Sequence, residues 1–168
     1  MSGRVTTTDR GAKDMLRRAH ELAGGMRVKV GILDDAPKDV HPGEKPSSLT
    51  LVEIACIHEL GAPELGIPQH SFIRATVDER RADVQRLSVV LAKDVLTGKR
   101  TAAQALDALG AKVSGWMQKR IADGIPPQLK AETLKRKTVN GAVGDVPLVD
   151  TGQLKSAITW VVEKGVAA

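Results

Sequence analysis

Aromatic residues are nearly missing from this chain: one Phe, two Trp and no Tyr in 168 residues. A core built without them must come from Leu, Val, Ile, Ala and Met. That favours helices with an aliphatic face over an aromatic-rich β-sandwich. Proteins that read single-stranded nucleic acid stack bases on aromatic side chains, so the same shortage argues against that class. Cysteine is scarcer still. Cys56 stands alone, so no disulfide can close within the chain, and a reducing, cytoplasmic site of assembly fits. Its neighbours Ile54, Ala55 and Ile57 predict a small buried hydrophobe at Cys56. A catalytic thiolate is not expected, because His58 two positions on faces elsewhere on a helix. Runs of about 18 apolar residues are absent too, so neither a transmembrane helix nor a membrane partner is expected. The polar start, residues 1–10, predicts no secretory signal.

What remains is ordinary in amount: 42% hydrophobic residues and a formal charge of +5, with pI about 9.5. The length suffices for one domain with a real core. The mild basic balance suits a protein that lies near DNA, and speaks to partners rather than to fold.

Periodicity divides the chain as follows. Residues 9–23 predict a helix, with Met15, Ala19 and Leu22 on one stripe and Gly24-Gly25 as its stop. Residues 26–33 alternate apolar and polar, the pattern of a strand with one wet face. Residues 34–48, rich in Pro, Gly, Asp and Lys, form a long loop that reads as a flexible arm or contact loop. Thr50 and Glu53 have capping-box spacing at the head of a helix over 50–60. An irregular turn with Pro63 and Pro68 follows. Residues 71–96 predict one long helix with a stripe of Ile73, Val77, Val84, Leu87, Leu91 and Val95. After Gly98, Thr101 caps a helix to about 123 whose expected face is Ala102, Leu106, Leu109, Val113, Trp116 and Arg120. The two long helices should pack antiparallel. Asp150 or Thr151 can cap a short helix to about 157, and 158–162 closes the chain as a strand. The expectation is one α+β domain over residues 1–168: a small antiparallel sheet packed against a long antiparallel helix pair plus shorter helices.

Candidate chemistry is thin. His58-Glu59 begins like a zinc-protease helix, but the second His should stand at position 62, which is Ala62. His41, His58 and His70 have no ligand spacing, so no metal is expected. Gly24-Gly25 precedes a strand rather than following one, and no phosphate loop exists. Asp150-Thr151-Gly152 spells the aspartic-protease tripeptide once, followed by helix formers, so a capping role is the better reading. Ser71, Ser114 and Ser156 lack the context of a nucleophile. Lys130, Lys135, Arg136 and Lys137 could contact DNA phosphate, or simply solvate a loop. The cluster over 78–83 mixes signs and reads as a salt-bridged helix face.

Three ordered segments carry a resemblance. The first is Val30-Gly31-Ile32, followed by Ile54-Ala55-Cys56-Ile57-His58-Glu59-Leu60-Gly61-Ala62-Pro63. The second is Ile67-Pro68-Gln69-His70-Ser71-Phe72-Ile73-Arg74. The third is Ile125-Pro126-Pro127, then Thr133 to Lys137, then Pro147-Leu148-Val149-Asp150-Thr151-Gly152-Gln153-Leu154, with Ser156 and Ile158 beyond. Together they resemble the neck and tail-completion proteins of tailed bacteriophages, the virion-morphogenesis or minor tail proteins of the head–tail junction. The resemblance covers roughly residues 28–162. Leu60 stands where that family commonly has an aromatic, and His70 where it commonly has Arg.

The resemblance implies a structural protein with no catalytic activity and no cofactor. It implies a homo-oligomeric ring, a hexamer as first choice and a dodecamer as second. Its partners would be the adaptor or connector proteins on one side and the tail terminator or tail tube protein on the other. Double-stranded DNA would pass through the channel with non-specific contacts. The place would be the virion neck or tail, assembled in the host cytoplasm. The motif residues Pro68, Phe72, Arg74, Leu148, Asp150, Thr151, Gly152 and Leu154 are then structural. Pro68 and Phe72 fix the start of the long helix, Asp150 and Thr151 cap the last one, and Leu148 staples it to the core. The 34–48 arm would reach a neighbouring subunit and order on assembly. The alternative is a small basic DNA-binding regulator, which would need a short recognition helix that the long charged helices do not match. A head-maturation protease is a third possibility, without a credible nucleophile–base pair.

Overall fold

Thr101 opens the longest helix among the described residues. Its hydroxyl accepts the Gln104 N–H at 3.2 Å, and the Gln104 side chain accepts the Thr101 N–H at 2.9 Å. Two donors that a helix start leaves orphaned are thereby satisfied. A computed structural model describes residues 11–33, 49–126 and 152–164 of the chain, and this helix is its axis. In chain order the elements are α1 (Ala12–Ala23), β1 (Arg27–Ile32), α2 (Leu51–Leu60), a 3-10 turn (Pro63–Leu65), α3 (Arg74–Glu79), α4 (Arg81–Leu96), α5 (Ala102–Asp123), α6 (Gln153–Ser156) and β2 (Ile158–Glu163). The fold is α+β, with a two-stranded antiparallel sheet packed among the helices.

Two apolar clusters divide α5 between them. Near its start, Ala102 and Ala105 meet Leu91 and Val95 of α4, with Leu22 of α1 against them. Further along, Val113, Met117 and Ile121 meet Ala55, Phe72, Ile125, Leu154 and Ile158. Phe72, Val95 and Ile121 are wholly buried. The absence of aromatics is met as expected, by aliphatic side chains around a single Phe. At α2, Thr50 and Glu53 make the expected capping box.

Three expectations need correction. The helix over 71–96 is broken at Arg80 into α3 and α4. Its apolar stripe already skipped from Val77 to Val84, with only charged side chains and Ala82 between. Thr76 also donates its hydroxyl to Phe72 O at 2.6 Å, a back-bond of the kind that bends helices. The buried face of α5 is also displaced. Gly110, Ser114, Met117 and Ile121 are buried, whereas Leu106, Trp116 and Arg120 are only half-buried, because α5 is packed by α4 on one side and the sheet on another. Finally, Cys56 is exposed. Ala55 faces the core, and the next residue on a helix points about 100° away.

The sheet pairs β1 with β2 from Arg27↔Glu163 to Ile32↔Ile158. Val28, Val30 and Ile32 lie opposite Val162, Trp160 and Ile158 and face α5. On the other face Glu163 takes Arg27 at 3.2 Å and Lys29 at 2.9 Å. Gly110 lets the sheet come close. A Cβ there would lie 2.5 Å from Trp160 Cδ1 and 2.8 Å from Val28 Cγ2. The Trp160 indole N–H donates to Asp107 at 2.8 Å, which satisfies its polar atom at the edge of this contact.

Several expectations lie outside the described residues. These are the 34–48 arm, the basic Lys130, Lys135, Arg136 and Lys137, and Leu148, Asp150 and Thr151. At α6 the N-cap position is Gly152, with φ 77° and no side-chain cap bond.

Candidate functional site

The first two resemblance segments meet in one corner of the fold. α2 ends at Gly61, where φ is 77° and the Gly61 N–H donates to Ile57 O at 2.7 Å. A side chain would be strained there, and a Cβ would press to 3.0 Å on Gln69 N. Ala62 and Ile67 exchange backbone hydrogen bonds of 2.9 and 3.0 Å, closing a small loop over the 3-10 turn. Past the exposed Pro68, the chain runs back along α2. The His70 N–H donates to His58 O at 2.7 Å, and the Gln69 amide donates to Glu59 O at 2.8 Å. The His58 and His70 rings stand edge-on, 5.9 Å between centroids.

Glu59 holds the corner together. One carboxylate oxygen accepts from the Ser71 hydroxyl at 2.7 Å and the Arg74 N–H at 2.9 Å. The other accepts from Phe72 N–H at 2.8 Å and Ile73 N–H at 2.9 Å. A carboxylate from another helix thus caps α3. Partial burial pushes the Glu59 carboxyl up, but the hydrogen bonds from Ile73, Arg74, Ser71 and Phe72 outweigh it and hold it below the usual glutamate range. In the last turn of α2 the helix dipole disfavours a negative charge. The donors of α3 supply what that position lacks. From the far side, Arg120 of α5 donates to Ser71 O at 3.0 Å and to Glu79 at 2.6 Å. The corner is fixed to three helices.

The motif residues divide by role. Phe72 fills the centre of the core cluster, and Leu154 joins the same cluster. Arg74 contributes its backbone N–H to Glu59, while its side chain is exposed. Pro68 is exposed at the turn. Sequence alone points to neither role for Glu59 or Arg120, and shows Glu59 only as the start of a failed zinc motif. The signal that could have found it is an acidic residue just before a helix-ending Gly.

In this corner both Glu59 oxygens are taken up by structural donors. Among the described residues, no group of three His, Cys, Asp or Glu is placed to hold a metal ion. An open groove of about 420 Å³ lies at the α4–α5 turn, lined by Asp94, Lys99, Arg100, Gln104, Asp107 and Ala108. Arg100 and Lys99 lie 3.4 and 3.9 Å from Asp94 within it. At Trp116 of α5, which packs against the edge of the core, Arg80 and Lys112 stand 5.8 and 5.6 Å from the ring. No helix among the described residues is long and apolar enough to cross a membrane. Compared with protein-family models, with curated proteins and with solved structures, the chain matches none of them.

Proposed function

We propose that this chain is a non-catalytic structural protein of a phage head–tail junction, a neck or tail-completion ring that joins the portal adaptor to the tail. The ring would surround the channel through which double-stranded DNA passes. One observation carries the reading. The first two of the three segments that bear the resemblance, separated by three residues in sequence, fold back on each other and interlock through Glu59 into a single corner. Residues that could be mistaken for chemistry are committed there to shape. In an assembly protein a rigid corner presents a fixed surface to its neighbours, and rigid elements define a contact better than loops do.

In this reading copies meet side to side by heterologous contacts that close a ring, six-fold first and twelve-fold second. Any genome sequence must slide through, so contacts to DNA go to phosphate rather than to base edges. Native mass spectrometry of the purified chain, followed by DNA binding at graded salt, tests both points. The expected result is a closed multiple of the 17.9 kDa chain that binds duplexes without regard to sequence. Assembled rings that favour one duplex sequence a hundredfold or more, or a chain that stays monomeric and hydrolyses a substrate, would overturn the proposal.

A further inference from the structure

The first helix is sharply two-sided. Ala12, Met15, Leu16, Ala19, Leu22 and Ala23 gather in an arc of about 120° at helical spacing. Yet none of its residues is buried. Leu22 reaches the cluster at the start of α5, while Leu16 is 70% exposed and Met15 51%. An amphipathic helix normally buries its apolar face, and this one leaves half of its own uncovered. A second exposed apolar set lies at the Glu59 corner, where Leu60 is 62% and Leu65 67% exposed.

These two sets belong to opposite ends of α5. α1 sits against Ala102 and Ala105, and the corner is built over Met117 and Ile121. Ala105 and Met117 are twelve residues apart, about 18 Å along a helix. One rigid helix separates the two sets, so they cannot meet within a chain. Their charges are complementary. On the helix surface Leu16 is bordered by the cationic Lys13, three residues away. Beside Leu65, at the tip of the corner, stands the exposed Glu64.

We infer that the Leu16 face of α1 receives the Leu65 corner of a second copy of this chain. The contact is heterologous and leaves each copy with one free face and one free corner, so it propagates until a ring closes. It rests on the ring reading above and names the surface that reading requires. Leu16→Asp and Leu65→Asp test it, each made singly in the full chain. Both sites are exposed, so the folds should survive, and unchanged circular dichroism melting checks that they do.

Sedimentation of the wild-type chain should show the ring, and each variant alone should show only monomer. An equal mixture of the two should give dimers and nothing larger, because one intact face and one intact corner remain. Rings that persist in both variants would overturn this surface and leave the ring reading standing. A mixture that stays monomeric would show that face and corner do not pair. Wild-type protein that remains monomeric at high concentration would overturn the ring reading itself, and the surface with it.

Discussion

Gly110 is the tightest point between helix and sheet, and adding one methyl group there has a calculable effect. The new Cβ would sit 2.5 Å from Trp160 Cδ1, 2.6 Å from Trp160 Cγ and 2.8 Å from Val28 Cγ2. All three atoms belong to side chains on the inner face of the sheet, and Trp160 is also tied to Asp107. Relief requires the indole to move by several tenths of an ångström and to stretch that bond. Overpacking of this kind costs roughly 1–3 kcal/mol, while alanine in place of glycine in a helix returns about 1 kcal/mol. Gly110→Ala should therefore lose roughly 0–2 kcal/mol, and melt about 2–4 °C lower for each kcal/mol lost. Gly115 lies on the same helix with open space around its would-be Cβ. Gly115→Ala should instead gain about 0.5–1 kcal/mol. Urea unfolding followed by tryptophan fluorescence reads both. If Gly110→Ala stabilises the chain as much as Gly115→Ala, the close approach of α5 to the sheet is refuted.

Two further predictions concern the corner. Glu59 has a folded pKa below its unfolded value of about 4.3. Its contribution is therefore fully present above that unfolded value and is lost as pH falls through the folded one. Glu59→Gln should cost roughly 1–2 kcal/mol near neutrality, as loss of a helix cap does, and should flatten the acid limb of a stability-against-pH curve. Glu79, Asp83 and Glu163 are also lowered, through hydrogen bonds from Arg120, Arg80 and Lys29 in that order. Only the difference between wild type and variant isolates Glu59, and identical acid limbs would count against its capping role. Arg120→Met should lose about 1–2 kcal/mol through its bond to the Ser71 carbonyl, whereas Glu79→Ala should change stability little, because that carboxylate is at the surface. Thermal melts of the two variants compare them, and equal losses would contradict this division.

Local signals were legible in the residues, and remote ones were not. The capping box at Thr50 is a four-residue pattern and stands as read, and Thr101 caps its helix as expected. So do the two strands and the glycine stop after α1 stand, which depend on short-range spacing. The break at Arg80 was legible only as a gap in the apolar stripe, since each side of the gap is a good helix. The buried face of α5 was misplaced because two different neighbours share the helix, and a single stripe cannot describe that. Cys56 looked buried from its apolar neighbours, but helix rotation rather than neighbours decides exposure. Glu59 went unseen because its acceptor oxygens and their donors lie 12 to 15 residues apart. No periodicity spans that distance across a turn. The Leu16 face is the converse case. The sequence shows an apolar stripe of Met15, Ala19 and Leu22, and only the structure shows Met15 and the neighbouring Leu16 uncovered.

The central claim is that this chain is a ring at the junction of a phage head and tail, and imaging of the intact virion tests it most directly. With the chain tagged at an exposed site and the particles reconstructed, the account predicts a single ring of six or twelve copies on the axis between head and tail. Virions that lack the chain, or carry it anywhere other than as an axial ring at that junction, would contradict it.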